Sequence, residues 1–140
     1  MARMTDSEIE QLLCAPQMGV LATVDAQGRP EGTPVWLDWN GENVRILVHH
    51  ASRKAKNIGQ NPNVSLTIDT RQPPYRGVVL RGTATLSGPD PVLRRRLATR
   101  YLGEEVGKSY IETTASFDTD DVLITIRVAS RYSWDYSKGF

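Results

Sequence analysis

Alternation of apolar and polar residues with a period of two runs through most of this sequence, and it constrains the fold more than any other feature. Such alternation places the apolar side chains of a β-strand on one face. It occurs over residues 18–24, 32–39, 44–48, 64–69, 78–86 and 122–128. Asn40-Gly41, between two of these segments, is a strong hairpin signal because both residues tolerate a positive φ. The pattern therefore predicts a mainly β chain.

Five or six antiparallel strands joined by hairpins and one helical crossover predict a closed or split β-barrel. Closure would also bury the strand edges, which otherwise invite aggregation. Peripheral helices are expected beside the barrel. Thr5 and Glu8 form a capping-box pair at the start of the first helix. Asp90 as N-cap and Pro91 at the first helical position begin another, and a shorter helix is expected over 104–113.

Length, charge and cysteine content describe an ordinary globular protein. The chain has 140 residues, which suits one domain over 1–140 with one core. Its net charge of +1 provides no global field toward nucleic acid or a membrane, and neither partner is expected. We find no signal-peptide segment and no run that could cross a bilayer. A single cysteine, Cys14, fits a reducing cytoplasm, and we expect it to be buried as a small hydrophobe.

A short basic helix begins at Ser52, which is a good N-cap residue. Arg53, Lys54 and Lys56 then crowd into its first turn, where they face the positive end of the helix dipole. This arrangement is favourable if an anion binds at the helix tip. The free amides, Ser52, Arg53 and Lys54 would then converge on a group such as phosphate. A solvated basic face on a surface helix is the alternative that stays open.

Other candidate clusters carry less chemistry. His49 and His50 are the only histidines, and adjacent residues of a strand point to opposite faces, so we expect no shared metal. The arginine run Arg94, Arg95, Arg96 and Arg100 is expected to be solvated. No Gly-x-Ser-x-Gly elbow, Walker loop or Gly-x-Gly-x-x-Gly motif occurs.

Trp36 and Trp39 lie on a strand that we expect beside the basic helix. A flat, apolar cofactor with a phosphate would suit such a place, because its rings need an apolar slot and its phosphate needs the helix tip. Packing of both tryptophans in the core or in an interface is the alternative.

These segments resemble a known family. The order Ser-Arg-Lys-x-Lys-x-Ile-x-x-Asn-Pro-x-Val-Ser-Leu over 52–66 resembles the pyridoxamine-phosphate oxidase-like flavin-binding split barrels. Residues 19–36 and 73–84 are similar to the same family. Arg100-Tyr101-Leu102-Gly103 further resembles the small branch that uses the deazaflavin coenzyme F420. The resemblance covers roughly residues 5 to 136.

The resemblance implies a six-stranded antiparallel split β-barrel of Greek-key topology, usually a homodimer with two cofactor sites at its interface. It implies that Arg53 and Lys54 contact the cofactor phosphate, while Lys56 adds charge from the following turn. One strand would give backbone contacts and another would line the ring. The cofactor-binding residues expected on these grounds are Pro34, Val35, Trp36, Leu47, Val48, Ser52, Arg53, Lys54 and Lys56.

The function that this resemblance implies is a redox enzyme that binds F420 or FMN and passes a hydride to or from a small conjugated organic substrate. No catalytic residue is assigned. Oxidation of pyridoxamine phosphate is not expected, because Gly77 is nearest to a glutamine of the vitamin-B6 oxidases and the tail differs from theirs. The alternatives are a non-enzymatic flavin or haem carrier and a structural domain whose basic helix binds nothing.

Overall fold

The computed structural model describes residues 2–139, which form one seven-stranded sheet with helices around it. The strands are β1 (Gly19–Val24), β2 (Pro30–Val35), β3 (Asp38–Trp39), β4 (Asn43–His49), β5 (Asn63–Asp69), β6 (Arg76–Ser87) and β7 (Asp121–Asp135). The helices are α1 (Asp6–Cys14), α2 (Arg53–Gln60), α3 (Pro91–Leu102), α4 (Glu104–Thr113) and α5 (Phe117–Asp120). The predicted mainly β architecture with peripheral helices is confirmed.

The sheet is curled so far that its two edges almost meet. Its strand order is β2-β1-β5-β6-β7-β4-β3, and each neighbouring pair is antiparallel. A flat sheet of this size would hold its edge strands about 29 Å apart. Only Trp36 and Leu37 separate β2 from β3 along the chain, and this link reaches at most about 11 Å. The antiparallel sheet therefore wraps into a half-barrel.

The expected number of six strands is wrong, because residues 32–39 do not form one strand. β2 ends at Val35, and β3 starts at Asp38 on the opposite edge of the sheet. The alternating pattern continues across this break, since Val35 and Leu37 both point into the core and are 6% and 1% exposed. Periodicity alone could not show where the chain changes edge.

The core fills the inside of the curled sheet. Its largest fully buried side chains come from alternate strand positions, from α1 and from the link between β2 and β3, namely Leu13, Leu21, Leu37, Ile46, Leu66, Ile68, Leu80, Ile124 and Ile126. α1 covers part of this core with Ile9, Leu12 and Leu13. Its capping box is confirmed, because Thr5 Oγ1 accepts from the Glu8 amide and Glu8 Oε1 accepts from the Thr5 amide.

The expectation that Cys14 is buried is wrong. It is the last residue of α1 and lies exposed. At about 100° per residue it lies about 140° from Ile9 and about 160° from Leu12 around the helix, so it falls outside the apolar stripe.

α3 and α4 form a helical hairpin on the sheet. α3 has the predicted start, since Asp90 accepts from the Leu93 amide at 3.0 Å. The two helices approach closely at Gly107, where a Cβ would lie 2.9 Å from the Ala98 carbonyl oxygen. Asp38, fully buried on β3, ties the hairpin to the sheet edge because its carboxylate pairs with Arg96 of α3 at 3.0 Å.

Within residues 2–139, no helix has both the length and the apolar character of a transmembrane span.

Candidate functional site

A cavity of about 430 Å³ lies where the ends of β2 and β4 meet the start of α2 and the α3–α4 hairpin. Most of the residues expected from the sequence to bind a cofactor line it. These are Pro34, Val35, Trp36, Leu47, Val48, Ser52 and Lys54. Arg53 and Lys56 do not line it. The structure therefore brings the apolar strand residues and the tip of the basic helix to one place.

The start of α2 forms the cationic end of the cavity. Ser52 is its N-cap, and its Oγ accepts from the Ala55 amide at 3.2 Å. The first turn of α2 carries no acidic residue, and no carboxylate of residues 2–139 forms an ion pair with Lys54. In the same part of the chain, the amides of Arg53 and Lys54 have no hydrogen-bond acceptor. These donors and the helix dipole suit a bound anion.

Asn57 fixes how α2 sits on the sheet. It is buried, and its Nδ2 donates to Thr23 Oγ1 at 3.0 Å and to Glu31 Oε2 at 3.3 Å. Ala55 and Ile58 pack into the core on the same face of the helix. These contacts hold the helix tip beside the strand ends.

Arg53 and Lys56 point away from the cavity. The Arg53 guanidinium lies 3.3 Å from Glu31 Oε1, and its side chain is 85% exposed. It lines a neighbouring cavity with Glu31 and Thr33, and Lys54 borders both cavities. An exposed ion pair of this kind contributes about 0–1 kcal/mol, so it does not hold Arg53 firmly. Lys56 is exposed and lines neither cavity.

Trp36 forms an aromatic wall of the cavity. Its indole stacks on Tyr101 of α3 with 5.3 Å between centroids, and it meets Tyr110 of α4 edge-on at 5.4 Å. The Tyr101 hydroxyl accepts from the Leu37 amide at 3.1 Å and lies 2.9 Å from the Gln17 carbonyl oxygen. Trp36 therefore packs against the helices, and it also lines the cavity.

Arg94 borders the cavity from α3, and the expectation that this arginine is solvated is wrong. It is 4% exposed. Its guanidinium donates to Asp118 Oδ1 at 2.8 Å, to Thr114 Oγ1 at 2.8 Å and to the Ile111 carbonyl at 3.2 Å. Arg95 and Arg96 do lie exposed. The difference arises because α4 and the segment after it cover one face of α3 and supply acceptors there.

His49 and Asp121 border the cavity where β4 and β7 pair. Asp121 is 8% exposed, and this burial raises the pKa of its carboxyl group. The expected opposite orientation of the two histidines is wrong, since the rings of His49 and His50 stack at 4.5 Å. β4 ends at His49, and His50 begins the turn toward α2. The described residues hold no cluster of three metal-binding side chains.

Arg94, Tyr110 and Asp121 are cavity residues that the sequence did not indicate. The spacing of Arg94 from Leu93 and Leu97 on α3 was one available signal, because these residues share the buried face. Asp121 follows two other acidic residues, Asp118 and Asp120, and the sequence alone does not distinguish it from a solvated turn.

Gly77 leaves no room for a side chain. A Cβ there would lie 2.5 Å from the Trp134 ring and 2.9 Å from the Ile68 carbonyl oxygen. A glutamine at this position is therefore incompatible with the packing of β6 against its neighbours.

Comparison with known proteins adds to this geometry. Residues 5–135 match the family model described as pyridoxamine 5′-phosphate oxidase. A solved structure of an F420 reductase is 32% identical, covers 87% of this chain and 94% of its own, and superposes with a TM-score of 0.75.

Two curated proteins are similar over shorter segments. Pyridoxine/pyridoxamine 5′-phosphate oxidase of Alcanivorax borkumensis is 36% identical over 83 residues, which are 59% of this chain and 39% of that protein. Heme oxygenase HutZ of Vibrio cholerae is 46% identical over 46 residues, which are 33% of this chain and 26% of that protein. The chain thus spans well under half the length of either relative. A solved structure of HutZ, described as a heme storage protein, is 22% identical, covers 93% of each chain and shares the fold with a TM-score of 0.66.

Proposed function

The chain belongs to the pyridoxamine 5′-phosphate oxidase family, and we propose that it is an oxidoreductase that binds F420 or FMN at a homodimer interface. Its reaction is transfer of a hydride to or from a small conjugated organic substrate. The observation that carries this proposal is the meeting of a cationic helix tip and an apolar wall in one cavity. Lys54 lies at the cationic helix tip, and Trp36 belongs to the apolar wall.

The lining residues fit a flat ring system joined to a phosphate. Lys54 and the free amides at the start of α2 would hold the phosphate, since they offer charge and donors that no described residue uses. Val35, Leu47 and Val48 would hold the ring in an apolar slot. When bound, the cofactor supplies the ring that exchanges the hydride. The protein binds it, orients it and limits the access of water.

A second copy of the chain would complete the site. Met18 lies at the cavity and is 44% exposed in the single chain, so it offers an apolar surface for a second subunit to cover. A partner subunit that covers this side would bury Met18 and enclose the ring. Sedimentation velocity with and without cofactor measures this association.

F420 is favoured over FMN by one comparison. The F420 reductase matches 87% of this chain, whereas the curated pyridoxine/pyridoxamine oxidase matches 59% of it. The acidic tail of F420 would extend beyond the phosphate, where exposed Lys56 and Arg53 provide cations. Parallel titration with F420 and FMN distinguishes the two cofactors.

Replacement of Lys54 tests the binding site. Lys54→Ala should weaken the binding of F420 or FMN severalfold or more, because a charge-assisted contact with the phosphate is lost. The thermal stability of the unliganded protein should stay the same or rise, because a cation is removed from the positive end of a helix. Lys56→Ala is the matched control in the FMN titration, because FMN lacks the acidic tail and Lys56 carries the same charge outside the cavity. Fluorescence quenching measures the cofactor affinity of each variant. Equal affinities of wild type and Lys54→Ala contradict the proposal.

A non-enzymatic haem or flavin carrier is the second candidate. It is favoured by the similarity to HutZ and by His49 at the cavity, since imidazole is a common axial ligand of haem iron. A Soret band that shifts in wild type and is lost in His49→Ala would support haem binding. A bound flavin that dithionite reduces, but that never turns over with any acceptor, would support the carrier over the enzyme.

A further inference from the structure

Asp121 is a buried carboxylate that the proposed function does not yet use. It lines the cavity at the first position of β7 and is 8% exposed. Among residues 2–139, no hydrogen-bond donor reaches its side chain and no cation forms an ion pair with it. Its carboxylate oxygens are not enclosed by protein, so the accessible part of this buried residue opens on the cavity. A ligand in the cavity is the partner that this geometry offers.

The charged groups around Asp121 do not replace such a partner. Arg94 faces it from α3 and His49 from β4, and both favour the carboxylate. Asp118 and Asp120 of α5 disfavour the ionised carboxyl group. Burial has the largest effect, and it raises the pKa of Asp121. The Arg94 guanidinium directs its hydrogen bonds to other acceptors, of which Asp118 is the charged one. The charge on Asp121 is therefore poorly compensated in the free protein.

The position of Asp121 indicates which part of a ligand it would meet. Asp121 is paired with His49 in the β4–β7 ladder, so the two backbones lie about 4.8 Å apart. The His49 carbonyl accepts from the amide of Ser52, the N-cap of α2. Asp121 therefore lies on the strand next to β4, and β4 leads directly into the start of α2, where the phosphate would bind. In F420 and in FMN, the group next to the phosphate is a ribityl chain that carries hydroxyl groups.

We propose that Asp121 accepts a hydrogen bond from a hydroxyl group of the polyol chain that joins the ring to the phosphate. This inference rests on the proposed function, because it requires a phosphate at the tip of α2. The contact also sets the direction of the ligand along the cavity. A carboxylate repels a phosphate, so a cofactor turned end for end would place two anions together, whereas the proposed orientation gives each anion its own donors.

Three flavins that differ by one part each test this contact. FMN has ring, polyol and phosphate; riboflavin lacks the phosphate; lumiflavin lacks both polyol and phosphate. Asp121→Asn should weaken the binding of FMN and of riboflavin by about tenfold or more, because a hydrogen bond to a charged acceptor is weakened. It should leave the affinity for lumiflavin unchanged. Lys54→Ala should instead weaken the binding of FMN and leave the affinity for riboflavin unchanged. F420, its ribityl deazaflavin core and a 10-methyl deazaflavin form the equivalent series if the protein binds the deazaflavin.

Controls separate this contact from damage to the fold. Asp120→Asn removes a neighbouring carboxylate that does not line the cavity, and its affinities should equal those of wild type. Lumiflavin affinity reports whether the cavity of Asp121→Asn is intact. If Asp121→Asn does not fold, Asp121→Ser is the second variant, with the same expected pattern.

The affinity of riboflavin should also depend on pH in one direction. A hydroxyl donor stabilises the ionised carboxyl group, so binding releases a proton and affinity rises as pH increases through the pKa of Asp121. Asp121→Asn should lose this rise below pH 6, where only carboxyl groups and histidines titrate, whereas Asp120→Asn should keep it.

The outcomes distinguish this inference from the proposed function. Equal riboflavin affinities of wild type and Asp121→Asn overturn the inference while FMN or F420 binding still supports the function. An equal loss for riboflavin and lumiflavin overturns it as well, since Asp121 would then contact the ring. If neither cofactor series binds to wild type, the proposed function fails, and this inference fails with it.

Discussion

The indole of Trp36 and the phenol ring of Tyr101 lie parallel, with 5.3 Å between their centroids and 2° between their planes. Trp36 belongs to the short link between β2 and β3, and Tyr101 belongs to α3. A stacked pair of this kind contributes about 0.5–1.5 kcal/mol beyond the area that it buries. The pair therefore joins the helical hairpin to the place where the edges of the sheet come together.

Removal of the Tyr101 hydroxyl should destabilise the fold although the stack remains. In Tyr101→Phe the buried Leu37 amide loses its acceptor, so the free energy of unfolding should fall by about 1–3 kcal/mol. Urea unfolding measures this loss. Tyr110→Phe is the matched control, because its hydroxyl forms no hydrogen bond with residues 2–139, and a change within about 0.5 kcal/mol is expected. Equal midpoints for Tyr101→Phe and wild type contradict the role of the hydroxyl.

Arg94 and Asp118 should be energetically coupled. Their side chains lie 2.8 Å apart, with Arg94 buried and Asp118 one-third exposed. Asp118→Ala leaves a buried cation without its charge partner, and Arg94→Met leaves two partly buried acceptors without a donor. Each single variant should lose about 1–3 kcal/mol, discounted for the exposure of Asp118. The double variant should lose about 1–2 kcal/mol less than the sum, and an additive result in a urea double-mutant cycle excludes the coupling.

Glu8 should make stability depend on pH in the acid range. A hydrogen bond from Lys138, followed by those from Thr5, lowers the pKa of Glu8 from 4.5 to about 2. Because the folded pKa is the lower one, the stabilisation is complete above pH 4.5 and is lost as pH falls toward 2. Glu8→Gln should therefore be less stable than wild type at pH 6, and the gap should narrow at pH 2.5. A gap that does not change between these two pH values would show that the Glu8 contacts are absent in solution.

Gly82 should tolerate no side chain. A Cβ there would lie 1.9 Å from the Arg127 carbonyl oxygen, at the irregularity between Arg81 and Gly82 where β6 shifts register against β7. The Arg127 carbonyl carbon lies 2.8 Å from the same Cβ, and because both Arg127 atoms belong to the backbone, the strands would have to separate. Gly82→Ala should lose more than about 3 kcal/mol or fail to fold.

Gly59→Ala is the matched control for Gly82. No atom lies within 4 Å of its added Cβ, and Gly59 is inside α2. Its midpoint in urea should rise by the equivalent of about 0.5–1 kcal/mol. A stable, cooperative Gly82→Ala would contradict the observed register.

The sequence predicted those parts of the fold and site that depend on local pattern. Strand faces follow from a period of two, and caps such as Thr5 and Asp90 follow from residue type, because both depend on neighbouring residues. The position of Ser52 and Lys54 at the helix tip could be predicted from the N-cap residue and the cations of one helical turn, and both residues line the cavity. The strand break after Val35 could not be predicted in this way, because the residues on both sides of it keep the alternating pattern.

The rest depends on contacts between distant segments. Arg94 is buried only because Asp118 and the end of α4 fold over it, and its neighbours Arg95 and Arg96 are exposed. Asp121 enters the cavity only because β7 pairs with β4, whose partner residue is His49. The spacing of Arg94 places it on the buried face of α3, but no spacing identifies the partners of these residues, because the residues that meet lie 17 to 72 positions apart.

The two-residue link that contains Trp36 has a consequence for folding. The Trp36 wall of the cavity does not exist until β2 and β3 take their places at opposite edges, so assembly of the cavity and completion of the half-barrel are one event. A ligand that requires this wall cannot recognise the open chain, and it stabilises the closed form in proportion to the logarithm of its concentration. The absorbance or fluorescence change of such a ligand on binding would therefore report the completion of the half-barrel during folding.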